Sequence, residues 1–186
     1  MNPTLNKKDF EDLTTNLKDL AYNYLEKYSP SKQQLKVYLL KKYLTKIKGT
    51  KSKREVSDII DEIINHLEKN KIIDDELFAD SKARMFLRRG YSINKINLSL
   101  RNKGVKNDLI KKSIDKIKEN NIEPDFVSAL KLCKKRRIGA IRPQANRELF
   151  YKKDMGILAR GGFSFELSKR VLDLEEKEFY KLIKII

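Results

Sequence analysis

Apolar side chains recur along almost the whole chain at the three-to-four-residue spacing of helices that bury one face. From Phe10 onward they fall at Leu13, Leu17, Leu20, Ala21, Tyr24, Leu25 and Tyr28, the stripe of a first helix. Pro30 breaks that helix, and Ser31 suits the N-cap of a second one carrying Leu35, Leu39 and Tyr43. The segment TKIKGTKSKR (45–54) is basic and rich in small residues, and it reads as a mobile loop around Gly49. Val56, Ile59, Ile60, Ile63, Ile64 and Leu67 then make the clearest apolar face in the chain. No stretch of useful length alternates apolar and polar positions, so the expected fold class is all-α.

The middle of the chain repeats this plan. Asp74 and Asp75 can cap a helix bearing Phe78, Ala79, Ala83 and Phe86, which Gly90 ends in a left-handed conformation. Ser92 caps a second helix with Ile93, Ile96 and Leu100 on one face, closed by Gly104. Asn107 is expected to cap a third, with Ile110, Ile114 and Ile117. The spacing of Ser31, Leu35, Leu39 and Lys42 matches that of Ser92, Ile96, Leu100 and Lys103. A more divergent copy starts at Asp125 with Phe126, Ala129, Leu130 and Cys133, and passes Pro143, Leu149, Phe150 and Leu158 to reach Gly161-Gly162. The stretch from Gly162 to Leu167 echoes that from Gly104 to Leu109. A last helix carries Leu167, Val171, Leu172 and Leu174 and is expected to continue into Phe179, Leu182 and Ile183. Helices this short must pack on neighbours to persist in water. The economical arrangement is an elongated tandem array of three-helix repeats, with borders at 1–72, 73–122 and 123–186.

Charge narrows the partners. Lys and Arg number 42 against 26 Asp and Glu, a formal +16 over 186 residues. Such a field concentrates polyanions, nucleic acid above all. A genome poor in G and C also enriches lysine, asparagine and isoleucine, in which case much of the excess is solvated surface. The lone cysteine, Cys133, cannot form an internal disulfide, which points to a reducing cytosol and a small core residue. No apolar run approaches the ~20 residues that span a bilayer. The opening MNPTLNKKDF lacks a signal-peptide core, so a cytoplasmic protein with no membrane partner is expected.

Catalytic chemistry finds little footing. The only histidine, His66, flanks the apolar face of its helix and reads as a surface or boundary residue. Asp74, Asp75 and Glu76 are explained by the positive end of a helix dipole rather than by a metal. No nucleotide, zinc or redox motif occurs, and Gly161-Gly162 is a helix end rather than a phosphate loop. A non-enzyme without metal or cofactor is expected.

Binding candidates lie among the basic residues. Arg84, Arg88 and Arg89 share one helix, with Arg84 and Arg88 on the side away from Ala79, Ala83 and Phe86. Lys134, Lys135, Arg136 and Arg137 crowd the end of the corresponding helix in the third copy, with Lys103, Arg160 and Arg170 completing the set. Each alone reads as a solvated side chain. Together they suggest a basic face for DNA phosphates or an acidic protein groove.

Several strings resemble the RecX family, regulators of the RecA recombinase. They are Leu20-Ala21-Tyr22-Asn23-Tyr24-Leu25-Glu26-Lys27-Tyr28-Ser29-Pro30-Ser31, Ile72-Ile73-Asp74-Asp75-Glu76-Leu77-Phe78-Ala79, Arg88-Arg89-Gly90-Tyr91-Ser92 and Lys103-Gly104-Val105. The match runs over roughly residues 20–173, with departures at the 45–54 loop and at IGAIRPQANRELF. The resemblance implies curved arrays of three-helix units that bind RecA, as monomer or filament, and restrain ATP hydrolysis, strand exchange and filament growth. Weak contact with single- or double-stranded DNA and a monomeric state are expected alongside. The rival reading is a direct DNA binder of helix-turn-helix type, in which Asn94, Lys95 and Asn97 would reach base edges.

Overall fold

Four serines start helices by accepting an amide hydrogen bond at the third helical position. Ser31 accepts from Gln34 N, Ser52 from Glu55 N, Ser92 from Lys95 N and Ser164 from Leu167 N. Each bond satisfies a donor that has no partner within its own helix. The structure, a computed structural model, describes residues 7–47 and 52–185. Its helices are α1 (Lys7–Lys27), α2 (Lys32–Lys42), α3 (Lys53–Lys69), α4 (Asp75–Arg88), α5 (Ile93–Arg101), α6 (Asn107–Asn120), α7 (Pro124–Arg136), α8 (Gln144–Arg160), α9 (Phe165–Leu172) and α10 (Glu176–Ile185). A π turn, Tyr43–Ile47, extends α2, and a 3₁₀ turn, Gly139–Ile141, precedes α8. No strand occurs among the described residues, and the all-α expectation holds.

Four local expectations need correction. The N-cap of α6 is Lys106, without a side-chain bond, and Asn107 is already helical. Asp74 alone caps α4, its Oδ1 accepting from Glu76 N and Leu77 N. Of the loop foreseen at 45–54, residues 45–47 belong to the π turn and the Ser52–Glu55 capping box starts α3 at Lys53; residues 48–51, with Gly49 among them, lie outside the described residues. The last helix does not run on. It ends at Asp173, whose carboxylate accepts the Tyr151 hydroxyl at 2.8 Å, and α10 then brings Phe179 fully into the core.

The chain divides into two compact units. The first runs to Phe78 and includes Lys103–Val105; the second comprises Ala79–Asn102 and the chain from Lys106 onward. In the first, Leu17, Ala21, Leu35, Leu39, Val56, Ile60 and Leu67 make the core, and Tyr24 stacks on Tyr38 at 4.0 Å. In the second, Phe126, Leu130, Ile138, Leu158, Val171 and Phe179 are packed together, and Ile96, Leu100 and Ile110 are also buried.

One hydrogen-bonded junction occurs twice. In the first unit the Ser31 hydroxyl donates to Lys103 O, Lys32 N donates to Asp75 Oδ1 at 2.8 Å, and Gly104 (φ +76°) lies against Gln33. In the second the Ser92 hydroxyl donates to Gly161 O at 2.8 Å, Ile93 N donates to Asp125 Oδ1 at 2.7 Å, and Gly162 (φ +86°) lies against Ser92. A single serine thus caps its helix and ties down the end of another. The aspartate takes the next free amide.

Candidate basic binding site

The predicted basic residues fall into paired and unpaired groups. Arg170 is paired: its guanidinium makes a two-pronged bond to Glu123 at 2.6 and 3.0 Å and lies 4.1 Å above the Phe126 ring. That bond holds the Glu123 carboxyl below its ordinary range, outweighing its desolvation. Arg84, Arg88 and Arg89 are exposed at the end of α4, Arg84 near enough to Asp80 to act on its charge. Burial pushes the Asp80 carboxyl up, but hydrogen bonds from Lys116 and Ser113 outweigh it and leave the pKa lowered. Lys134, Lys135, Arg136 and Arg137 are all exposed, and Arg137 ends α7 in the left-handed region with φ 53°. Lys103 is half-buried in the first unit, where its carbonyl accepts from Ser31.

Two other cations near these clusters are internal supports. Arg142 grips the buried Asp154 through Nε at 2.6 Å and Nη2 at 2.7 Å, while Gly139 N adds a third bond at 3.1 Å. Arg147 donates to the carbonyls of Ala140 and Leu174 at 2.6 and 3.4 Å. Both tie the 3₁₀ turn to α8, which sets where the ends of α7 and α8 sit.

Arg136 and Arg160 are brought together. With Lys95 they line a cavity of about 260 Å³, walled also by Leu132, Ile157 and Gly161. Among the described residues none of these three cations has a carboxylate partner. The Lys95 ammonium instead lies 4.8 Å from the centre of the Tyr91 ring, which stacks on Phe86 at 5.0 Å. Arg136 and Arg160 each sit in the last turn of a helix, where the negative end of the dipole favours them. Lys95 was not foreseen in this group. The available signal was the echo of Gly104 in Gly162, which joins the start of α5 to the end of α8 as Ser31 joins Lys103.

Other candidate chemistry stays apart. His66 is exposed, with Nε2 3.1 Å from the Asn70 amide nitrogen. Burial pushes the Cys133 thiol up to about 12, with Asp154 adding to the shift. Among the described residues no group of three or more His, Cys, Asp or Glu could hold a metal ion, and no helix is long and apolar enough to cross a membrane. Asn94, a candidate base-reading residue, donates to Gly162 O at 3.3 Å.

No family model matches the chain. Over 161 residues it is 33% identical to the regulatory protein RecX of Myxococcus xanthus, covering 86% of this chain and 85% of that protein. The chain belongs to the RecX family. A second RecX regulatory protein, from Corynebacterium efficiens, is 33% identical over 124 residues, 62% of this chain and 58% of its own length. The crystal structure of RecX from Lactobacillus salivarius superposes with a TM-score of 0.59 at 18% identity, covering 95% of this chain and 99% of that one. Another RecX crystal structure gives 0.61 at 20% identity, covering 91% and 79%. These two likenesses bear on the fold, which is the RecX fold.

Proposed function

We propose that this chain regulates RecA by binding it, alone or polymerised on single-stranded DNA, and restrains its ATP hydrolysis, strand exchange and filament growth. Membership of the RecX family carries the reading. The unpaired cations at the ends of α4, α7 and α8 support it, since they offer several modest contacts that act together without one dominant residue. The protein acts by occupying a surface, without a nucleotide site of its own. We read the twice-built serine–aspartate junction as the seam between three repeats, at 1–72, 73–122 and 123–186, in a protein that works as a monomer. Weak DNA contact through the basic residues accompanies RecA binding. A base-reading role for α5 is disfavoured because Ser92 and Asn94, at its start, are both bonded to carbonyls of Gly161 and Gly162.

The test is DNA-dependent ATP hydrolysis by RecA titrated with this protein, beside a DNA-binding titration without RecA. Inhibition at concentrations below those that coat the DNA supports the proposal. Inhibition only when the DNA is saturated reduces the protein to a competitor for DNA. A salt series separates the two further, because the logarithm of affinity for single-stranded DNA falls against the logarithm of salt concentration with a slope of ~0.7 per neutralised phosphate.

A further inference from the structure

We propose that the cavity between Lys95, Arg136 and Arg160 receives an acidic side chain, flanked by apolar residues, from a protein partner. Three cations converge on one cup and no carboxylate of the described residues lines it or pairs with them. Like charges held together without a counter-ion repel one another, so an anion entering the cup relieves that repulsion as well as gaining its own attraction. Two of the three are arginines, whose planar forks suit the two oxygens of a carboxylate.

The cup also selects against a nucleic-acid strand. Leu132 and Ile157 form part of its wall, and the whole volume is about 260 Å³. A DNA backbone brings a run of phosphates and needs an open track of cations. The exposed side chains of Arg84 and Arg88 on α4, with Arg89 just beyond its end, fit that demand better. A glutamate or aspartate beside a leucine fills a cup with an apolar wall, the charge meeting the arginines and the methyl groups meeting Leu132 and Ile157. Lys95 is suited to complete the site because Tyr91 takes its ammonium only through the ring face, leaving the donors free to turn inward.

That RecA supplies this acidic segment rests on the function proposed above; the cavity's preference for a carboxylate does not. The experiment therefore uses a probe that does not involve RecA. A fluorescein-labelled peptide of alternating aspartate and leucine is titrated with the full chain and followed by anisotropy, beside a labelled thymidine oligonucleotide. The Arg136→Ala/Arg160→Ala variant should bind the peptide at least tenfold more weakly and the oligonucleotide less than threefold more weakly. Lys177→Ala/Lys181→Ala removes the same charge from α10 and should change peptide binding less than twofold. Arg136→Lys/Arg160→Lys keeps the charge and loses the fork, so it should fall between. An unchanged far-ultraviolet circular dichroism spectrum certifies each variant as folded. The proposal is overturned if the native chain does not bind the peptide, if both double alanine variants lose it equally, or if the oligonucleotide suffers the same tenfold loss. If the peptide results stand while RecA hydrolysis is unaffected, the cavity is kept and RecA is removed as its partner.

Discussion

Asp75 and Asp125 each hold a helix start on another element, in places where burial opposes the charge that the bond itself favours. Lys32 N and Ile93 N donate to their Oδ1 atoms at 2.8 and 2.7 Å. These are first-turn amides with no partner inside their own helices. Truncation to alanine leaves each amide without its acceptor in a half-buried place, so Asp75→Ala and Asp125→Ala should each cost about 1–2 kcal/mol. Burial is the largest influence on both carboxyls and raises their pKa, outweighing the backbone bond and the attraction of Lys32 and of Lys118 respectively. Folding therefore makes ionisation of both carboxyls less favourable than it is in the unfolded chain. An asparagine keeps an acceptor oxygen without the buried charge, so Asp75→Asn and Asp125→Asn should match or exceed native stability at neutral pH.

The pH dependence gives a second handle on the same reasoning. A carboxyl whose folded pKa lies above its unfolded value, about 3.9, stays protonated longer when folded than when unfolded. Its contribution is fully present below that unfolded value and is lost as pH rises through the folded pKa. The stability of the double asparagine variant minus that of the native chain should therefore grow from about pH 4 upward and then level off. Urea unfolding followed by circular dichroism measures this, since 1–2 kcal/mol moves the midpoint by about 0.5–1 M at an m-value of ~2 kcal/mol/M. Asparagine variants as damaged as the alanine ones, with a difference flat in pH, would refute the reasoning and show that the negative charge itself holds the junction.

Arg142→Ala strips two bonds from Asp154, which is 1% exposed, and should cost about 3 kcal/mol. In a chain of this size that lowers the melting temperature by about 6–12 °C, and a calorimetric fall under about 2 °C would count against the pair as a support. Gly162→Ala places a Cβ on a backbone with φ +86° and against the Ser92 hydroxyl, so it should lose about 1–2 kcal/mol. Gly156→Ala, inside α8 with only the Arg160 guanidinium within reach, should instead gain about 0.5–1 kcal/mol in the same urea assay. Cys133, 1% exposed with its thiol pushed up to about 12, should resist a thiol reagent in the folded chain and react once guanidinium unfolds it.

What local spacing governs was legible. Leu35 and Leu39, or Ile96 and Leu100, occupy the buried face because a helix returns to the same side every three to four residues, whatever surrounds it. Ser31 and Ser92 were identifiable as caps for the same reason, since their partners lie three residues on. Their second bonds, to Lys103 O and Gly161 O, join residues 72 and 69 apart, and no spacing rule reaches that far. The same limit explains Asp75. Sequence neighbourhood gave it to α4 beside Asp74, whereas packing turned it onto Lys32 N at the start of α2.

The basic residues divide along the same line. A run such as Lys134-Lys135-Arg136-Arg137 is conspicuous because its members adjoin in sequence, yet helix geometry points adjacent side chains in different directions, and only Arg136 of the four lines the cavity. Arg170 is as prominent in sequence and is neutralised by Glu123, 47 residues away. Lys95 stands alone in sequence and acquires its neighbours only because Ser92 is bonded to Gly161, which delivers the end of α8 to the start of α5. The binding value of a cation here is set by whether the fold has already given it a carboxylate. By that measure Arg136 and Arg160 remain available for a partner's charge, Arg142 is committed to the buried Asp154, and Arg170 is already paired with Glu123 at the surface.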